Sequence, residues 1–395
     1  MDRLLRATLR PEATTAMQSP TSVQFEVLCD IESFRSLERE WTELHERACG
    51  EYFQSFNFCH SALVAEDTGS RRKLHCIVGR RDGRVVTIWP LFTVNRSWCT
   101  FAEPLTPPNR SPSDILVAPE ADRERIVESA WSAAVNTSRA DVFELWRVRK
   151  TSPLYAIVSG SQAVRRELED TTPFSRLRAV QDWKLFCRSR PGREKNAPEY
   201  LMRRLARHGE FMVEHVEPSD HRLPAFIEWF VAQKRIWAVE KGIPSEWTHS
   251  DASLKFWTAL LAGEYASSSS FQFFILTLEG KPVAANVLAT TGQCAYLVAT
   301  TYDMRYSKLS PGTVLVDECV GLAFRNGLDF DFGPGEQRYK TSWSAGGGYA
   351  TSSFIVLSSP RGKAGFVAKQ LMNNTRASTA RLASQVFPKR RTTMQ

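Results

Sequence analysis

Residues 74–94, LHCIVGRRDGRVVTIWPLFTV, and residues 271–290, FQFFILTLEGKPVAANVLAT, carry one pattern at two places in the chain. In each, two β-rich runs flank an acidic residue followed by glycine, Asp82-Gly83 and Glu279-Gly280. That dipeptide supplies the positive φ angles of a tight hairpin. The flanks repeat as well. Upstream of the first hairpin, FRSLEREWTELHERA places Phe34, Leu37, Trp41 and Leu44 at helical spacing; upstream of the second, LPAFIEWFVAQKRIWAVEKG does the same with Phe226, Trp229, Phe230 and Ile236, and Gly242 ends the run. Downstream, a helix over 123–137 leads to an alternating strand over 141–146. Its counterpart is a helix over 314–326, stopped by Gly327, leading to an alternating strand over 328–332. Elements matching in the same order predict an α/β (α+β) chain in which one module occurs twice, each copy a mixed central sheet flanked by helices.

The join falls near residues 170–182. Thr171-Thr-Pro173 reads as a turn, Trp183–Cys187 as a fresh strand, and a helix follows from Pro198 to Gly209 with proline at its start and glycine past its end. The expected organisation is a disordered tail over 1–20, one copy over 21–175, the second over 180–365, and a basic tail over 373–395.

The chain's 395 residues, 43% hydrophobic and 24% charged, fit two globular units and exclude wholesale disorder or a fibrous repeat. No apolar run approaches the ~18–20 residues that cross a bilayer. The first residues carry Arg3, Arg6 and Arg10 without an apolar core, a poor secretory signal. Eight cysteines lie scattered with no CxxC pair, and seven histidines show no metal-ligand spacing. The expectation is a reduced, cytoplasmic protein without a metal. Walker loop, G-x-G-x-x-G and G-x-S-x-G are all missing. The net charge of +8 is concentrated in Lys184–Arg207 and in the last twenty residues, which suits an anionic or nucleotide-linked ligand as well as a plain solvated face.

Chemistry gathers in the second copy, between Thr301 and Trp343. Ser310-Pro311-Gly312-Thr313 joins a strand to a helix, so it presents backbone N–H groups and the positive end of a helix dipole to an anion such as pyrophosphate, with Arg305 and Lys308 just before it. Asp329 and Asp331 share one face of a strand that runs into Gly333-Pro-Gly335, and ligands of open α/β sheets bind beyond the carboxyl ends of strands. Glu336, Arg338, Tyr339 and Lys340 follow at once. A lysine there can steady a carbonyl oxygen, and a carboxylate can accept a proton from an amine.

The pattern YD-x-x-Y-x-x-L-SPG-x-x-L followed by G-L-x-FDFGPGE-x-x-YK-x-x-W resembles the tandem GNAT-type acyltransferases, in the branch of the CelD-like proteins linked to cellulose and exopolysaccharide synthesis, and more remotely the FemAB peptidyl transferases. The Trp41-x-x-Leu44 pair, Ser55–Phe58, the hairpin ending at Pro90-Leu91 and the Arg203-Arg204-Leu205 helix are similar too, so the resemblance spans residues 23–360. It implies a GNAT-fold acyltransferase using acetyl-CoA or another acyl-CoA as donor substrate. Ser310, Pro311, Gly312 and Thr313, with Arg305, would hold the phosphates. Tyr339 and Lys340 would sit at the transfer site, and Glu336 or Asp331 would be the base. The loop holds one glycine where the family has two positions for small residues, and FemAB-type relatives use aminoacyl-tRNA instead. The first copy carries Ser111-Pro-Ser113-Asp114 at what reads as the equivalent place, where an acid repels phosphates. The implied division is an acceptor-side first copy and a donor-side second copy. The implied acceptor is an amine or hydroxyl of a small molecule or of a sugar-type envelope or exopolysaccharide precursor; a FemAB-like aminoacyl transferase and a non-catalytic polysaccharide-assembly factor are the alternatives.

Overall fold

The predicted turns take the backbone shape their residues favour. Asp82 and Gly83 sit at φ +52° and +77°, and Glu279 and Gly280 at +50° and +69°, so both hairpins close in two residues. A computed structural model describes residues 22–66, 71–108, 111–161, 163–192, 198–243, 245–267 and 270–368. The two expected tails, and Arg193 and Lys195 of the basic segment, lie outside the described residues.

The first copy supplies β1 (Gln24–Leu28), β2 (Arg72–Arg81), β3 (Arg84–Arg96), β4 (Cys99–Pro104), the short β5 (Leu116–Val117), β6 (Val142–Arg149) and β7 (Val164–Ser175). The second supplies β8 (Phe211–Val216), β9 (Phe271–Leu278), β10 (Lys281–Thr291), β11 (Cys294–Tyr302), β12 (Asp329–Asp331) and β13 (Gly348–Leu357). The sheet runs β1-β2-β3-β4-β6-β13-β7-β12-β11-β10-β9-β8, with β5 on β3. Each copy therefore lays down three antiparallel pairings followed by one parallel pairing, β4 with β6 and β11 with β12. Each then gives its last strand to the other: β7 pairs with β12, β13 pairs with β6, and β7 and β13 pair with each other at the centre. The halves are interlocked by strand exchange.

Side chains reinforce the lock. Phe58 of the helix Phe56–Val64 stacks on Phe271 at 5.9 Å and meets Phe256 edge-on at 5.4 Å, while Asn57 Nδ2 donates to Leu260 O at 3.2 Å. The helix Leu223–Glu240 adds Ile227 and Phe230 to the same apolar cluster, which spans both copies. Each such side chain fully withdrawn from water contributes roughly 1.5–3 kcal/mol.

Two local expectations change. Trp183–Cys187 is not a strand; Trp183–Arg188 is a helix, because the Asp182 carboxylate caps Leu185 N at 2.9 Å and Trp183 and Phe186, one turn apart, both stack on Trp343. The stretch 34–48 forms two helices, Ile31–Ser36 and Glu38–Arg47, rather than one, with Phe34, Trp41 and Leu44 buried as the spacing requires. No helix among the described residues is long and apolar enough to cross a membrane.

Candidate active site

The parallel ladder between β11 and β12 stops after Tyr296 pairs with Asp331, although β11 continues to Tyr302. Past that point the edge of β11 facing β12 has no strand partner, and the sheet opens. The chain leaves this opening through a short 3-10 segment, Met304–Leu309, and enters the helix Pro311–Arg325. Proline at the first helical position is preorganised for the turn, and Val314, Leu315, Cys319 and Val320 bury the inner face. Ser310 takes a left-handed conformation at φ +58° with no side-chain cap, and the first turn contains no acid. Arg204, on the helix Pro198–Ala206, reaches the same point: its Nη2 donates to Ser310 Oγ at 3.0 Å, while its Nε is buried without a hydrogen-bond partner among the described residues. A helix start, a cationic side chain and an unsatisfied buried N–H group suit a phosphate.

Arg305 is committed elsewhere. Its guanidinium grips Asp303, with Nη2 to Oδ2 at 2.6 Å and Nε to both carboxylate oxygens at 3.0 Å, and its side chain is otherwise exposed. Gly312 packs close to Tyr302, whose ring would lie 3.0 Å from an added Cβ.

The glycine-rich strand end and the helix Arg338–Ser344 are bound together. Lys340, buried, donates from Nζ to Pro334 O at 2.6 Å and to Gly333 O at 3.2 Å. Burial pushes its ammonium down to about 8, opposed by the Asp331 charge and aided by Lys234 and Arg147. No hydrogen bond or ion pair among the described residues joins Lys340 to Ser310–Thr313. The connection runs through its helix instead, where Trp343 Nε1 donates to Asp317 Oδ1 at 2.8 Å on the helix that begins at Pro311. Tyr339 is half-buried against the second copy's core, and burial raises its phenol. Glu336 is exposed on the turn with no charged partner among the described residues.

Asp331 is buried, accepts from Gly333 N at 2.8 Å and from Tyr349 Oη at 2.7 Å, and belongs to a network that crosses the sheet's centre. Arg149, at the carboxyl end of β6, lies 3.5 Å from Asp331 through Nη2 and hydrogen-bonds the Glu51 carboxylate at 3.0 Å. Its guanidinium stacks 3.7 Å above the Tyr349 ring. Asp114 completes the acids, accepting from Ser152 Oγ at 2.7 Å and from its neighbour Ile115 N at 2.8 Å. Desolvation raises all three carboxyls. Glu51 goes up to about 7 despite the opposing pull of Arg149, Asp114 to about 6, and Asp331 above its ordinary range. These groups line a narrow cavity of about 20 Å³, roughly one water, that touches Leu297, Gly333 and Pro334 at the sheet opening. Glu51, Asp114 and Arg149 also line an adjoining groove of about 270 Å³.

Two readings of the first copy change here. Its helix Arg123–Ser138 begins after Asp122, so Asp122 and not Ser111–Asp114 stands where Ser310 stands in the second copy. Pro112, Ser113 and Asp114 line the central cavity instead. Glu51, Arg149 and Tyr349 were not foreseen. Arg149 carried a readable signal, as a charged residue at the carboxyl end of a strand; Glu51, in an irregular turn before Tyr52–Gln54, carried none.

A family model described as an acetyltransferase (GNAT) domain matches residues 196–341, less than half of the chain. Among solved structures, FemX superposes with a TM-score of 0.53 at 10% identity over 85% of this chain and 98% of its own. A conserved protein of unknown function from Bacteroides thetaiotaomicron does so with a TM-score of 0.51 at 10% identity, over 85% and 100%. A tandem GNAT protein from the clavulanic acid biosynthesis pathway gives a TM-score of 0.48 at 14% identity, over 86% and 99%. Likeness at such identities is one of fold. No curated protein matches the sequence. Residues 196–341, in the second copy, thus match a GNAT-type acetyltransferase domain, and most of the chain shares the fold of FemX.

Proposed function

We propose that the protein transfers an acyl group from acyl-CoA, acetyl-CoA foremost, to an amine or hydroxyl of a sugar-type precursor of an envelope or exopolysaccharide, in the manner of the CelD-like branch. The observation that carries this reading is the opening between β11 and β12, which leads straight to an acid-free helix start held by Arg204. In this reading the thioester lies along the unpaired edge of β11, and its phosphates meet Ser310, Gly312, Thr313 and Arg204. Residues 180–365 form the donor side and residues 21–175 the acceptor side, and the reaction takes place in the cytoplasm, where acyl-CoA is available.

The protein's work is orientation and charge. The acceptor's lone pair attacks the thioester carbonyl, a C–N or C–O bond forms, the C–S bond breaks, and the acceptor's proton passes to a carboxylate. Lys340 spends two of its three N–H groups on the Gly333 and Pro334 carbonyls, which fixes the wall of the opening and sets a buried cation beside it. Asp331 is the sequence-predicted base that lies in the cleft; Glu336 faces solvent.

A second reading, aminoacyl transfer from a charged tRNA, is favoured by the single glycine in Ser310–Thr313 and shares the fold of FemX. Calorimetry separates the two. Micromolar binding of acetyl-CoA, weakened by Arg204→Ala, supports the first; binding of aminoacyl-tRNA with no heat from acetyl-CoA replaces it with the second, and no binding of either removes both.

A further inference from the structure

We infer that the first copy supplies the proton acceptor of the transfer reaction, Glu51, and that the acceptor substrate reaches it through the groove of that copy. The inference rests on the transferase reading above and moves the base from the second copy to the first.

Place comes first. Glu51 belongs to both the small cavity that touches Leu297 and Gly333 at the sheet opening and the 270 Å³ groove that also holds Gln54, Arg123 and Ser152. Among the carboxylates, only Asp114 shares that double position. Asp114 accepts from the Ser152 hydroxyl and Ile115 N through Oδ1, and Glu51 is the one paired with Arg149; Asp331 is nearly sealed, with 3% of its side chain exposed against 19% for Glu51. Glu51 and Asp114 are therefore the carboxylates that a substrate in the groove and a thioester in the opening can both approach, and of the two it is Glu51 that pairs with Arg149, the arginine that also reaches Asp331.

Arg149 orients it, through Nε to Oε1 at 2.5 Å and Nη2 to Oε2 at 3.0 Å, and Gln54 Oε1 holds the backbone N–H of Glu51 at 2.9 Å. The charged and titratable groups facing it come from every element around the cleft: Arg147 and Arg149 on β6, Asp331 on β12, Tyr349 on β13, Tyr296 on β11, Asp114 before β5 and Tyr52 beside it. Three acids and two arginines, Arg147 and Arg149, line the cavity, and desolvation carries Glu51 up to about 7, matched to taking a proton near neutrality. In the step itself the nucleophile's proton moves to Glu51 as the new bond to the acyl carbon forms. The thiolate leaves, and the proton then returns through the water-sized cavity to give the free thiol, so atoms and charge balance.

Thiol release from acetyl-CoA, with glucosamine as acceptor probe, is followed from pH 5.5 to 9 for the wild type, E51Q, E51D and D331N, beside a 13C titration of protein labelled at glutamate carboxyls. The expected result is a rate that rises through an apparent pKa near 7. E51Q should lower kcat at least a hundredfold and remove that limb while binding acetyl-CoA as tightly as the wild type, and E51D should recover part of the rate. One carboxyl resonance titrating near 7 should vanish in E51Q. A kcat within threefold of wild type in E51Q, or D331N alone removing the limb, overturns the inference; so does a titration in which no glutamate carboxyl titrates above about 5.5. If the wild type does not bind acetyl-CoA, the donor assignment falls, and the 13C titration still decides for or against Glu51.

Discussion

Two helices begin at corresponding places in the two copies, and only the first has carboxylates in and just before its opening turn. In the first copy, Asp122 precedes Arg123 and Glu124 lies in the opening turn. Arg81 ties both Asp122 and Glu120 down, and its hydrogen bonds hold Asp122 below the ordinary carboxylate range. Neither helix start has a side-chain cap, but in the first copy carboxylates stand beside the positive end of the helix. In the second copy, the place of Asp122 is taken by Ser310, the opening turn has no acid, and the Arg204 guanidinium donates to Ser310 Oγ. On the proposed reading, the second helix start takes an anion as much because it lacks a neighbouring carboxylate as because it has a cation. The duplicated frame can carry the same helix start as a structural end or as a binding place.

The largest effect expected from breaking this comparison comes from parting the copies. Residues 22–181 and 182–368 expressed separately would each lose the other's central strand and expose a long unpaired edge, so aggregation or an unfolded product is expected in size-exclusion chromatography. Next comes Gly312→Asp, which makes the second helix start resemble the first and sets a side chain against Tyr302. Donor affinity should fall ~100-fold in calorimetry, with the fold retained in circular dichroism. Arg204→Ala should cost about tenfold, the scale of one charge-assisted hydrogen bond. Arg305→Ala should change the same affinity by less than about twofold, because that guanidinium is already held by Asp303.

The smallest effect is on stability. A carboxyl that holds its proton more tightly in the folded protein than in the unfolded chain gives a fold that weakens as pH rises from the unfolded value to the folded one. For Glu51 that window runs from about 4.5 to about 7. The Tm should therefore drop a few degrees between pH 5 and pH 7.5 by differential scanning fluorimetry, and E51Q should flatten that slope.

What could be read in the chain beforehand was whatever is local. Asp82-Gly83 and Glu279-Gly280 mark their hairpins because only a few residue types tolerate positive φ, and Pro311 and Gly327 bracket a helix by the same logic. Phe330 and Phe332 were legible as core because alternation leaves them on one face, and both are fully buried. The misreading of Trp183–Cys187 has an equally local cause: five residues with apolar positions two and three apart fit either period, and the Asp182 cap together with the stacking partners Phe324 and Trp343 decides for helix. The strand exchange and the Glu51–Arg149–Asp331 network were illegible for the opposite reason. They join residues from positions 51, 149 and 331, and no spacing encodes a contact over such separations.

The exchange at the sheet's centre bears on how such a chain can change over generations. Because β7 completes the second repeat and β13 the first, neither repeat is a replaceable cassette. A recombination event that imported a foreign copy would have to import one whose final strand still fits its host. Change is therefore most easily accommodated in helix starts and turns, where Asp122 and Ser310 differ, while the two middle strands must stay matched to each other.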